Sequence, residues 1–188
     1  RFQNGDPVTA EDVRYSLLAP VEEETANAPD VEMIDAIEVV DDRTVQIDLA
    51  YGYGPFYTLA LTRSVVPESV READRDAFNL ESPVGSGPFE FDDWTEGEFV
   101  DLVKWDGYWG DTLPHLNRLR FEPVEESTTR VVSLETGESD VADGITPQTW
   151  ETVRSADNMS LQSEPGISYY YIAFNCNEGP TASKTVNT

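Results

Sequence analysis

A chain of 188 residues with 37 Asp and Glu against 12 Lys and Arg carries a formal charge of −25, which repels nucleic-acid phosphates and an anionic membrane surface alike. Its hydrophobic fraction of 39%, with 8 Phe, 8 Tyr and 4 Trp spread along the length, is enough for a packed core and argues against disorder. One Cys (Cys176) and one His (His115) exclude an internal disulfide and a His/Cys transition-metal site, and no apolar run approaches the ~20 residues that span a bilayer.

In chain order, Asn4-Gly5-Asp6-Pro7 is a turn cluster. Thr9 then caps a predicted helix with Glu11 and Asp12 in its first turn and Val13 and Leu17 on one face, fading into Ala28-Pro29-Asp30. Ile34 to Val40 and Thr44 to Leu49 flank Asp41-Asp42-Arg43. Val45, Ile47 and Leu49 alternate with Thr44, Gln46 and Asp48, so the pair reads as a β-hairpin. Phe56 to Leu61 suits a short helix, whereas 64–82 is charged and weakly periodic and yields no element.

Pro83-Val84-Gly85-Ser86-Gly87-Pro88 is the densest Gly/Pro punctuation and marks a candidate domain boundary. Strands are expected at Phe89 to Trp94 and Glu98 to Trp105, and another near Leu119 to Val124. Ser127 is the expected cap of a second helix carrying Val131 and Leu134 and stopping at Gly137. Thr146-Pro147 opens a third, with Trp150 and Val153 three apart. Ser168 to Asn175 reads as a last strand containing Tyr169-Tyr170-Tyr171, a run that suits strand packing and a ligand-facing wall equally well. The fold class is therefore mixed α and β.

The constellations that could carry chemistry have plain readings. Asp41-Asp42, Asp92-Asp93 and Glu125-Glu126 point to opposite faces of any strand, so they are poor glycosidase pairs and read as solvated acids. No EF-hand loop is present, and Gly85-Ser86-Gly87 lacks the Lys of a phosphate-binding loop and precedes a strand. No Gly-x-Ser-x-Gly elbow exists, Asn158-Met159-Ser160 is a glycosylation sequon of the kind that arises by chance, and His115 reads as a loop residue. No metal or cofactor site is expected from these residues. Two lysines against ten arginines, in so acidic a chain, favour an origin in strong salt, where screening makes the surface tolerable.

Six of these stretches together resemble family 5 extracellular solute-binding proteins, the receptors of ABC importers for peptides, nickel, haem and sugars. They are Phe2-Gln3-Asn4-Gly5-Asp6-Pro7-Val8-Thr9-Ala10-Glu11-Asp12-Val13; the hairpin Ile37 to Leu49; Pro83 to Phe89; Tyr108-Trp109-Gly110 with Leu116 and Phe121; Thr128-Thr129-Arg130 through Leu134 to Gly137-Glu138 and Asp140; and Tyr169-Tyr170-Tyr171 with Phe174-Asn175. The resemblance implies an α/β, type II periplasmic-binding-protein-like lobe with an additional small α+β subdomain, the second lobe missing. By it, residues 1–84 are the small subdomain, 85–178 part of the first ligand-binding lobe, and 179–188 the approach to the second lobe. It implies an extracellular, cell-surface receptor, anchored through a segment preceding this sequence, that closes on a peptide-like solute and delivers it to permease subunits. Ligand contacts carried over by position are Asp143, Gly144, Gly166, Ile167 and Tyr169, while Gly85, Gly87, Tyr108 and Trp109 are architectural. The sequence itself carries no leader at Arg1, as expected if a signal peptide is absent or has been removed. The alternatives are an acidic carbohydrate hydrolase of a halophile and a passive cell-surface module.

Overall fold

A computed structural model describes residues 1–164 of the chain. The predicted strand Ser168 to Asn175, with the tyrosine run, Cys176 and the tail, lies outside the described residues. The chain divides into two compact units, Arg1–Pro123 and Val124–Thr188.

In the first unit Thr9 starts helix α1 (Ala10–Glu22) by a capping box. The Asp12 carboxylate accepts the Thr9 backbone N–H at 2.8 Å, and the Thr9 hydroxyl accepts the Asp12 N–H at 3.3 Å. The helix buries Leu17 and half-buries Val13 one turn apart, as the spacing predicts. That face meets the antiparallel hairpin of β1 (Ile34–Asp41) and β2 (Thr44–Leu49), in which Ile37 pairs with Ile47 and Val39 with Val45. Val45, Ile47 and Leu49 are half-buried and the residues between them exposed, so the period-2 pattern selects the face. Leu17, Val31, Met33 and Ala60 form the buried cluster, with Ile37, Ile47 and Phe56 packed against it.

Short helices follow: α2 (Phe56–Leu59), α3 (Glu68–Ala73) and α4 (Arg75–Leu80). The last two correct the reading of 64–82 as elementless. Tertiary bonds hold the start of α3: Asp12 Oδ1 accepts the Glu68 N–H at 3.0 Å, and the Ser16 hydroxyl accepts the Val66 N–H at 2.9 Å. Asp74 caps α4 through the Ala77 N–H, and Phe78 is buried.

A three-stranded antiparallel sheet completes this unit, with β3 (Phe89–Thr95), β4 (Phe99–Lys104) and β5 (Arg118–Phe121) in that order. Gly97 adopts φ +75° in the β3–β4 turn, a conformation glycine takes without steric cost. The units part at Pro123, downstream of the 84/85 division read from the Pro83–Pro88 segment. Gln3 spans that segment: its Oε1 accepts the Gly85 N–H at 2.9 Å, and its Nε2 donates to Gly87 O at 3.2 Å and Phe89 O at 2.8 Å.

The second unit contains α5 (Ser127–Thr136), a 3-10 turn at Pro147–Thr149 and α6 (Trp150–Ser155). Val131, Thr149 and Val153 are buried. Gly137 ends α5 in the left-handed conformation, φ +77°, as predicted. Ser127 does not cap it. Glu126 holds the N-cap position without a side-chain bond, and the Ser127 hydroxyl is engaged by the 146–149 turn instead.

Candidate functional site

Of the five candidate ligand residues, Asp143 and Gly144 fall within the described chain, and Gly166, Ile167 and Tyr169 outside it. Asp143 and Gly144 are neighbours on an exposed irregular loop between α5 and the 3-10 turn, beside Val141, which is 85% exposed. Gly144 has φ +62°, so a side chain there would strain the backbone.

Four side chains hold the residues that follow Asp143. Arg130, on α5, donates from Nη2 to Gly144 O at 2.9 Å. Trp150, on α6, donates from Nε1 to Ile145 O at 3.0 Å. The Thr146 backbone N–H donates to the Ser127 hydroxyl at 3.1 Å, and Thr146 O accepts the Thr149 hydroxyl at 3.0 Å. The loop is therefore a fixed platform with an exposed carboxylate at its outer end. Such a platform can present backbone groups and one negative charge to a solute. It contains no nucleophile–base pair.

The first unit holds two charge networks. Arg71 grips Glu23 through both terminal nitrogens at 2.6 and 2.7 Å and donates to the Tyr15 hydroxyl at 2.6 Å, and that hydroxyl bonds Glu72. The hydrogen bond from Arg71 holds the Glu23 carboxyl below its ordinary value. A recess of about 260 Å³ beside this network is lined by Arg14, Glu22, Glu68 and Arg75 among others. In the sheet, Asp101 is 1% exposed and bonded by Arg118 and Arg120, an arrangement absent from the sequence reading. Among the described residues no group of three His, Cys, Asp or Glu side chains is placed to hold a metal ion.

Two further motif stretches are tied to each other. Trp109 donates from Nε1 to Ser86 O at 2.9 Å, tying the Tyr108-Trp109-Gly110 turn to the Gly85-Ser86-Gly87 segment. The Tyr108 ring lies so close over Gly110 that a Cβ there would sit 2.4 Å from it. His115 is exposed on a bend, as expected.

The solved structure of the PBP AgaA from A. tumefaciens R10, in complex with agropinic acid, matches 84% of this chain and 33% of its own, with a TM-score of 0.73 and 27% identity. The fold is that of type II periplasmic binding proteins, and the described residues are its mixed α/β part. Residues 1–187 match the family model of bacterial extracellular solute-binding proteins, family 5 middle. The chain belongs to that family. The glutathione-binding protein GsiB of Pectobacterium atrosepticum is 31% identical over 192 residues, covering 96% of this chain and 36% of the relative. The oligopeptide-binding protein AppA of Bacillus subtilis is 25% identical over 184 residues, 93% of this chain and 34% of its own. The chain thus spans about a third of the length of the curated relatives it matches. These relatives are named as binding proteins, and the hydrolase alternative gains no support from them.

Proposed function

We propose that this chain is part of an extracellular receptor of an ABC importer that captures a peptide-like solute and presents it to a membrane permease. The family match over residues 1–187 carries the reading. Two relatives named for glutathione, itself a tripeptide, and for oligopeptides support the solute class. Lobe closure is the mechanism: a solute held on both sides favours the closed state by its differential affinity, and the permease reads that state. No bond is broken, so no catalytic group is required. Asp143 and Gly144, with Gly166, Ile167 and Tyr169, form this chain's share of the ligand contacts, backbone groups pairing with an extended peptide as an added strand. A segment preceding Arg1 anchors the receptor at the cell surface.

The test is native mass spectrometry of the full-length protein for co-purifying solute, followed by thermal shifts with reduced glutathione and with short oligopeptides. Stabilisation by one of them supports the reading. Turnover of reporter glycosides or peptides, without stabilisation by any of these solutes, sinks it.

A further inference from the structure

We propose that Arg130 is a positioning residue, a latch that fixes the 143–146 loop in the conformation that meets the solute; the consequence for affinity rests on the ligand role given to Asp143 and Gly144 above. Arg130 stands in the first turn of α5, and its guanidinium turns back over the start of that helix. Nη1 donates to Val124 O and, at 3.0 Å, to Glu125 O, while Nη2 donates to Gly144 O at 2.9 Å. One planar fork therefore joins two segments some twenty residues apart through three main-chain carbonyls.

This placement is costly in ways that its own helix does not explain. A cation in the first turn opposes the helix dipole, which favours anions there. The Nε of Arg130 is buried with no partner among the described residues, an arrangement that a stability role alone would avoid. In a chain with 37 acids and 12 basic residues, a carboxylate partner is easily found. Arg71, Arg118 and Arg120 each have one, yet the bonds of Arg130 among the described residues all go to neutral carbonyls. Such bonds set geometry rather than charge balance. Arginine suits that task because its donors are fixed in one plane, whereas a lysine ammonium is a single rotating point.

The latch does not act alone. Ser127 and Trp150 hold Thr146 and Ile145, so three consecutive residues are fixed and Asp143 is the first residue beyond them. A loop ordered before the solute arrives spares the solute that ordering cost, which raises affinity without adding a contact.

The test uses the full-length receptor with Arg130→Lys and Arg130→Met. Amide exchange is read at Thr146, whose N–H reports loop position without touching Arg130, and at the α5 and α1 amides as references. Affinity for reduced glutathione and for tetra-alanine is measured beside it. Expected is exchange at Thr146 at least ten-fold faster in both variants, with α5 and α1 amides near wild type, and a roughly ten-fold weaker affinity for whichever probe the wild type binds. Unchanged exchange at Thr146 overturns the latch. So does equal acceleration in α5, which would make Arg130 a general stabiliser, and so does wild-type behaviour of Arg130→Lys, which would mean that charge suffices. Faster exchange with unchanged affinity overturns the link to the solute. Failure of the wild type to bind either probe counts against the receptor reading, and the exchange data still decide the latch.

Discussion

Asp101 is held by Arg120 across the β4–β5 pair, Nε donating to Oδ1 at 2.8 Å and Nη2 to Oδ2, with Arg118 adding a bond at 3.0 Å. Arg120 also lies over the Phe99 ring, 4.1 Å from its centroid. The two-donor geometry makes this a fork-to-fork pair, stronger and more directional than an ordinary surface ion pair. Asp101→Asn keeps the shape and removes the charge, leaving two arginines crowded on one face of the sheet. The melting midpoint is expected to fall by ~5 °C or more, whereas Arg154→Gln, which loses an exposed pair to Glu151, should shift it by about 1 °C or less. Equal small effects would show that the Asp101 pair contributes no more than a surface contact.

Acid should unfold the protein through the same group. The hydrogen bond from Arg120, then the charges of Arg118 and Arg120, lower the Asp101 carboxyl from its ordinary value of 3.8. The hydrogen bond from Arg71 lowers Glu23 from 4.5 in the same way. A folded value below the unfolded one means that the unfolded chain takes up protons first as pH falls. The contribution is therefore fully present above the ordinary carboxylate range and lost as pH drops through the folded values. In molar salt, where general repulsion is screened, the midpoint is expected to be flat from pH ~7 to ~5 and to fall below pH ~4. Asp101→Asn should flatten part of that acid limb. An identical limb in the variant would assign the acid sensitivity elsewhere.

Leu17 is 4% exposed in the centre of the first unit's core, between Val31, Met33 and Ala60. Leu17→Ala is expected to cost about 2–5 kcal/mol in denaturant unfolding, transfer and cavity effects together. Leu61, 46% exposed, serves as the reference, and Leu61→Ala should stay within ~0.5 kcal/mol. A loss at Leu17 no larger than at Leu61 would mean that the site collapses without leaving a cavity.

What the sequence disclosed depended on how local the cause was. The capping box of Thr9 and Asp12, the alternation of Val45, Ile47 and Leu49, and the left-handed stop at Gly137 are short-range devices, and each appears in the structure where its pattern stands. The helices α3 and α4, of six residues each, are too short for a hydrophobic period; α3 begins where Asp12 and Ser16 bond the Glu68 and Val66 N–H groups, 56 and 50 residues further on, and α4 starts from the Asp74 cap. Ser127 satisfied the local rule for a cap, but its hydroxyl found Thr146 and Thr149 instead. The role of Asp101 appears only when register sets Arg120 opposite it, although the alternation Arg118-Leu119-Arg120 was a usable hint that both arginines share a face. At the candidate site, Asp143 and Gly144 came from family resemblance. The carbonyls that Arg130 reaches leave no mark in a sequence.

Separability at residues 84/85 can be judged by limited proteolysis, with Gln3 as the control. Its side chain is bonded to Gly85, Gly87 and Phe89, which restrains the Gly/Pro segment otherwise expected to be the cleavable link. Gln3→Ala should increase cutting between Ser82 and Ser86 several-fold over wild type, with the fragments staying associated if the two parts pack as separate units. Cleavage only near Pro123 and the termini, in both proteins, would leave 1–123 as a single packing unit.

Salt dependence sets two electrostatic effects against each other. A formal charge of −25 makes most of the surface self-repelling, and two like charges 10 Å apart in unscreened water repel by about 0.4 kcal/mol. Summed over many carboxylates, that exceeds what the exposed ion pairs return, since each is worth about 0–1 kcal/mol and is itself weakened by salt. The Asp101 pair, with its buried carboxylate, is screened less than either. Repulsion should therefore win, and the melting midpoint is expected to rise by ~10 °C or more between dilute buffer and 2 M KCl, as the Debye length falls to ~3 Å or less. The choice of salt matters, because sulfate also strengthens apolar burial by exclusion from the surface. If KCl leaves the midpoint unchanged and sulfate raises it, apolar burial is the cause and the acidic surface is tolerated without screening. If KCl raises it and Glu151→Gln, which gives up the pair to Arg154 but removes a negative charge, is no less stable than wild type in dilute buffer, repulsion rather than pairing governs the folded state.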